Sequence, residues 1–201
     1  RLYTVFALPI GVTQSPSFNA KVTVEGQELI NGALQGLTAE SNEVVTRVNT
    51  KLTLESEAHY YTDQMIKLGS GPLPPRVGQT TTYVIFWRLG NTWNEVENVE
   101  ISTTLPQGVT WTGQTTVTAG QTPVYNPNTR EVRWKLNRLP VGAGMTFTKP
   151  EASFEVAITP EEGDVDKILV LSKTSTATAR DTWSGADLIA TAKFLTTDLD
   201  D

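Results

Sequence analysis

Apolar and polar residues alternate with a period of two through most of this chain, and that pattern confines it to strands. In residues 83–89 one face carries Tyr83, Ile85, Trp87 and Leu89, and in residues 99–105 Val99, Ile101, Thr103 and Leu105 point one way. Residues 131–136 set Val132, Trp134 and Leu136 against three charges on the other face. Phe154, Val156 and Ile158 repeat the pattern, as do Leu188, Ala190, Ala192 and Phe194. Successive strand side chains point to opposite faces of a sheet, so each run predicts a half-buried strand. One buried and one wet face is the pattern of antiparallel sheets. Gly90-Asn91, Pro106-Gln107-Gly108, Asn126-Pro127-Asn128, Pro140-Val141-Gly142 and Ser184-Gly185 punctuate the runs with turn chemistry. Short strands at this spacing predict two stacked sheets, with Trp134 packed against Trp87 or Trp111 of the opposite sheet. Residues 25–37 are the one helix candidate, but Gly26, Gly32 and Gly36 and the lack of an apolar stripe favour a hairpin there.

Composition excludes several kinds of chemistry. The chain has no cysteine, which removes disulfides, thiolate catalysis and cysteine-type zinc sites. Its formal net charge of −6, with lysines and arginines scattered, argues against a nucleic-acid partner. No run approaches the ~20 apolar residues that span a bilayer, so no membrane insertion is expected in this segment. The chain opens at Arg1 without an initiator methionine or leader; we expect a mature or partial product whose export signal or anchor lies elsewhere.

Candidate sites are few. His59 is the only histidine, and no Gly-x-Ser-x-Gly elbow accompanies it, so neither a catalytic triad nor any catalytic residue is expected. Residues 161–166 gather Glu161, Glu162, Asp164 and Asp166, which can offer oxygen ligands to calcium or form a solvated turn; their spacing matches no EF-hand loop. No other cofactor is expected. Trp93, Trp111 and Trp183 lie near turns, where rings can stack on a glycan or fill the core beside them. Pro72-Leu73-Pro74-Pro75 reads as a stiff connector or as a loop inside one domain.

The two ends of the chain resemble each other. Val5-Phe6-Ala7-Leu8-Pro9 sits like Glu155-Val156-Ala157-Ile158-Thr159, and Asn31-Gly32-Ala33-Leu34 like Ser184-Gly185-Ala186-Asp187. Residues 1–50 then form the C-terminal part of one repeat, and residues 51–201 a complete following one with a proline-rich stretch at 71–76. Half a sandwich exposes an apolar face and unpaired edges, so something must cover it. Tyr3, Val5 and Ala7 are candidates for strand addition to a neighbouring repeat or another copy of the chain.

Residues 51–159 also carry an ordered set of motifs. Val77-Gly78-Gln79-Thr80-Thr81-Thr82-Tyr83 enters a strand, Val99 to Val109 contains Leu105-Pro106-Gln107-Gly108-Val109, and Tyr125-Asn126-Pro127-Asn128-Thr129-Arg130-Glu131-Val132-Arg133-Trp134 precedes Leu139-Pro140-Val141-Gly142. In order and spacing these resemble the conserved-repeat, prealbumin-like β-sandwich domain found in tandem in prokaryotic surface proteins. Residues 71–78 look most like long repeat proteins of uncultivated bacteria with very small genomes. The resemblance implies an all-β, immunoglobulin-like antiparallel sandwich. It also implies an extracellular, non-enzymatic role as spacer, stalk, or filament or surface-layer subunit. An adhesin or carbohydrate-binding module using the three tryptophans is the alternative. The expected partners are neighbouring repeats or copies of the chain, and surface glycan or protein for the alternative.

Overall fold

A computed structural model describes residues 15–199. Tyr3, Val5 and Ala7 lie outside these residues, as do Asp200 and Asp201. The first strands are β1 (Ser17–Ala20), β2 (Thr23–Ile30), β3 (Ala33–Glu40) and β4 (Val44–Arg47). There follow β5 (Leu52–His59), β6 (Thr81–Asn91), β7 (Val96–Thr104), β8 (Val109–Val117), β9 (Val124–Asn126), β10 (Glu131–Leu139) and β11 (Glu151–Ile158). After a single 3-10 turn at Glu162–Asp164 come β12 (Val170–Ser172), β13 (Ser175–Asp181), β14 (Asp187–Ala192) and β15 (Leu195–Thr196).

Strands β5 to β11, with β13 and β14, make two antiparallel sheets of order β5-β6-β11-β8 and β14-β13-β7-β10-β9. The expected faces meet between them. Tyr83, Ile85, Trp87 and Leu89 are buried from one sheet with Phe154 and Val156; Val99, Ile101, Val132 and Trp134 are buried from the other. The Trp87 indole N–H crosses the gap to Ser175 Oγ at 3.0 Å. All-β antiparallel sandwich architecture is therefore what the sequence encodes.

The turns behave as their residues require. Asn126 Oδ1 accepts from the Asn128 N–H at 3.0 Å, closing the hairpin of β9 and β10. Arg130 then reaches the other motif: its guanidinium donates to the carbonyls of Leu105 at 3.0 Å, Val109 at 2.6 Å, and Pro106. A stretch that reads as turn chemistry thus also clamps the Leu-Pro-Gln-Gly-Val corner.

Two expectations need correction. Trp134 is buried in the same core as Trp87 but makes no ring pair with Trp87 or Trp111; its N–H donates to the Ala119 carbonyl at 3.2 Å. Trp87 instead meets Phe154 of its own sheet, edge-on at 4.8 Å between centroids. Phe194 was aligned with the inward face of Leu188, Ala190 and Ala192, yet it is exposed, because β14 ends at Ala192 and the chain re-enters pairing only at β15. The proline run at 72–75 joins β5 to β6, which pair directly from Leu52 with Asn91 to His59 with Val84. It is a loop inside one sheet, held by the Thr81 hydroxyl donating to the Pro72 carbonyl at 2.8 Å and the Tyr60 hydroxyl to Gly71 at 2.5 Å.

Candidate functional site

Residues 17–47 form a two-stranded ribbon outside both sheets. Strand β2 pairs with β3 from Thr23 with Glu40 to Ile30 with Ala33, and β1 pairs with β4 from Ser17 with Arg47 to Ala20 with Val44. The hairpin expected at residues 25–37 is present. Asn31 and Gly32 take φ of +53° and +81°, the two positive values of a two-residue turn whose twist suits a hairpin. Directly opposed residues share a face. One face of the ribbon therefore carries Val24, Gly26 and Ile30 with Ala33, Leu37 and Ala39, interrupted by Glu28 and Gln35. The other carries Thr23, Glu25, Gln27, Thr38 and Glu40, with Leu29 and Leu34 at the tip.

Every residue of β2 and β3 is exposed; Val24 is 60% and Leu37 57% accessible. A ribbon of two strands is marginal by itself, and apolar side chains on an uncovered sheet need a partner.

The base of the ribbon is fixed to one pole of the sandwich. The Val48 N–H bonds the Pro16 carbonyl at 2.9 Å, and Ser15 N–H that of Trp93 at 3.3 Å. The Trp183 indole donates to Pro16 at 3.1 Å, while Arg47 donates to the Trp183 carbonyl at 2.9 Å and lays its guanidinium 4.6 Å from the ring centroid. Asn94 Nδ2 donates to the Val48 carbonyl at 2.7 Å.

Behind these contacts lies a buried polar knot. Asp181 ends β13 and is fully buried. Its Oδ2 accepts from Thr50 N at 2.7 Å and Asn94 Nδ2 at 2.8 Å; its Oδ1 accepts from Trp183 N at 2.8 Å and Ser184 N at 3.0 Å. Burial alone would raise the carboxyl pKa, but the donors from Asn94, Ser184, Thr50 and Trp183 outweigh it and hold the pKa below the ordinary aspartate value. Asn91 continues the knot, accepting from the Thr50 hydroxyl at 2.6 Å and donating to the Asn94 and Pro140 carbonyls at 2.7 and 3.0 Å. The ribbon's exit at residues 48–50, the β6–β7 turn and the β13–β14 turn are thereby joined. Asp181-Thr182-Trp183-Ser184 has the sequence signal of a side-chain-capped turn; the roles of Thr50, Asn91 and Asn94 carry no such signal.

Elsewhere, a cleft of about 1060 Å³ is lined by residues that include Glu57, His59, Tyr61, Met65, Arg88 and Phe194. Arg88 bonds Glu57 and Glu151 at 2.6 Å each, tying three strands across the outer face, and His59 lies 3.3 Å from Glu57. Burial would raise the Glu57 pKa, but Arg88 and His59 hold it below its usual value.

The tryptophans named from sequence are all half-buried. Trp111 stacks between Tyr125 at 5.7 Å and Phe154 at 5.4 Å, Trp183 serves the ribbon base, and Trp93 lies at the same pole. Glu161, Glu162, Asp164 and Asp166 sit on the 3-10 turn and just beyond it, where Asp164 caps the Glu161 N–H at 3.0 Å. Among the described residues no three histidine or acidic side chains converge as a metal site. No helix among them is long and apolar enough to cross a membrane.

No protein-family model and no curated protein sequence matches the chain. Among solved structures it is similar to BcpA, the major pilin subunit of Bacillus cereus, with a TM-score of 0.44 and 11% identity over 85% of this chain and 51% of the pilin. It is similar also to the full-length major pilin SpaD of Corynebacterium diphtheriae (TM-score 0.39, 11% identity, 71% of this chain and 34% of that one). A third is the C-terminal domain of the Streptococcus pyogenes antigen I/II-family protein AspA (0.39, 13%, 89% and 54%). The chain spans about half the length of the BcpA chain it matches. These likenesses are of general β architecture.

Proposed function

We propose that this chain is a non-enzymatic structural module of an extracellular repeat protein, acting on a prokaryotic cell surface as a spacer, stalk, or filament or surface-layer subunit. In this reading residues 1–50 belong to a preceding immunoglobulin-like repeat and residues 51–201 make a complete one. The observation that carries it is the ribbon: two strands leave one pole of a closed sandwich with both faces exposed, yet their base is bonded to that pole by Arg47, Trp183, Asn94 and Asp181. An arm so anchored supplies length and contact, which are the working parts of a fibre. The adhesin alternative draws less from the rings, since Trp111 and Trp183 are engaged within the fold.

An antibody raised against residues 52–199 tests the reading on intact cells that carry the parent gene. Label at the surface, spaced along threads or a coat, is the expected result; label only after lysis overturns it.

A further inference from the structure

We propose that the apolar face of the ribbon and the outer edge of β2 are a docking surface for a neighbouring domain of this chain's own kind. The ribbon completes that domain by taking the place that β12 to β15 hold in the sandwich here. The inference rests on the partial-repeat reading and goes further by naming the face, the edge and the partner.

The sandwich contains a second copy of the ribbon's pairing scheme. In the ribbon β1 pairs with β4, and β2 with β3 inside them; at the other end of the chain β12 pairs with β15, and β13 with β14 inside them. The two sets keep step along the sequence. Ser17 and Val170 start strands 153 residues apart, Thr23 and Ser175 152, Ala33 and Asp187 154, and Val44 and Leu195 151. Both long hairpins turn at a polar residue and a positive-φ glycine, Asn31-Gly32 in one and Ser184-Gly185 in the other.

What the second hairpin does shows what the first lacks. The outer edge of β13 pairs with β7, from Thr176 with Ser102 to Asp181 with Val96. Ser175, Ala177, Ala179 and Asp181 are buried on its inner face, and Ser175 receives the Trp87 N–H. Setting the turn glycines Gly32 and Gly185 against each other, one residue from the match of the strand starts, places Leu37 and Ala39 at the positions of Ala190 and Ala192; the cross-strand pairs then put Val24 and Gly26 at those of Ser175 and Ala177, and Glu28 and Gln35 at those of Ala179 and Leu188. Apart from Glu28 and Gln35, the apolar face of the ribbon thus coincides with the face that is covered in the sandwich. The outer edge of β2 has no strand beside it among the described residues. The missing neighbours are of the types of β5 to β10, which this chain encodes in residues 51–150. The occupant we assign is therefore a domain with that pattern, preceding Arg1 in the assembled material.

The test extends the full chain at Arg1 with a copy of its own residues 51–150, so that residues 1–50 follow Pro150 as residues 151–201 do in the chain itself. Amide hydrogen exchange is read at residues 23–40. The expected result is at least 100-fold slower exchange there than in the unextended chain, abolished by Leu37→Glu. A second extension carries residues 51–201, whose own hairpin already fills the place; in it residues 23–40 should exchange as in the unextended chain.

Unchanged exchange in the first extension overturns the proposal, whether the added segment folds or not, and so does equal protection in both. Protection in the unextended chain that rises with protein concentration also overturns it, because the occupant is then a second copy meeting ribbon to ribbon. None of these failures moves the surface label described above, so the two readings fail separately.

Discussion

Replacing Asp181 by asparagine should cost the fold about 2–6 kcal/mol. The carboxylate takes two donors on each oxygen, all between 2.7 and 3.0 Å, in a fully buried place. An amide keeps one oxygen and must turn its NH2 toward the two donors on the other side. Two buried donors lose their acceptor, at about 1–3 kcal/mol each. A loss of that size is a large share of the ~5–15 kcal/mol that holds a domain together.

The dependence on pH gives the reasoning a second edge. The folded-state pKa of Asp181 lies below the unfolded value near 3.8, so the group stabilises the fold at neutral pH and loses that contribution as pH falls through its depressed folded value. Once protonated, the acid presents the same donor problem as the amide. Urea unfolding followed by tryptophan fluorescence should therefore show a wide gap between the parent and Asp181→Asn at pH 7. The gap should close as pH drops below the ordinary aspartate range. A variant within about 0.5 kcal/mol of the parent at pH 7, the size of an ordinary surface change, refutes the argument, as does a gap that stays constant into strong acid.

Other substitutions probe separate parts of the fold. Tyr83 is buried with a hydroxyl that finds no partner, and burial first, then Tyr60, pushes its pKa to about 12. Tyr83→Phe should match or exceed the parent by up to about 1–2 kcal/mol at pH 7 in urea titrations. It should also reduce the stability lost above pH ~10, where the unfolded tyrosine ionises first. Gly120 has φ of +81°, and a Cβ there would stand 2.5 Å from the Lys135 carbonyl oxygen and 2.8 Å from Leu136 Cγ. Gly120→Ala should lose about 1–3 kcal/mol or more by the same titration. Trp134→Ala empties a fully buried site and should lose about 3–5 kcal/mol in thermal and urea unfolding.

The sandwich was legible because its strands obey a period of two. Tyr83, Ile85, Trp87, Val132, Trp134, Phe154 and Val156 face inward as the alternation required. Legibility ended where the period broke. Val96 is buried out of step with Val99 because Asn98, at φ +54°, lies where the β7–β13 register shifts between Thr178 and Arg180. Trp134 was placed on the correct face but makes no ring pair with the tryptophans expected beside it, since alternation fixes a face and not the height of a ring within the core.

The ribbon was half legible. Its hairpin turn is written in Asn31-Gly32, but local sequence does not say that its apolar face stands uncovered. The Asp181 knot was missed for a different reason. Its donors lie 131 residues away at Thr50 and 87 away at Asn94, and only the folded chain brings them together.

The most direct measurement compares residues 48–201 with the full chain. The shorter chain keeps Val48, Thr50 and the whole sandwich, and loses the ribbon with the bonds of Arg47 and Pro16 to Trp183 and of Ser15 to Trp93, together worth about 2–5 kcal/mol. If the ribbon belongs to a different domain from the one it leans on, urea unfolding should give free energies within about that amount, and the near-ultraviolet dichroism of the buried tryptophans should be unchanged. A loss well beyond that range, or a chain without fixed tertiary signal, would mean that the ribbon is part of this core and would contradict the account.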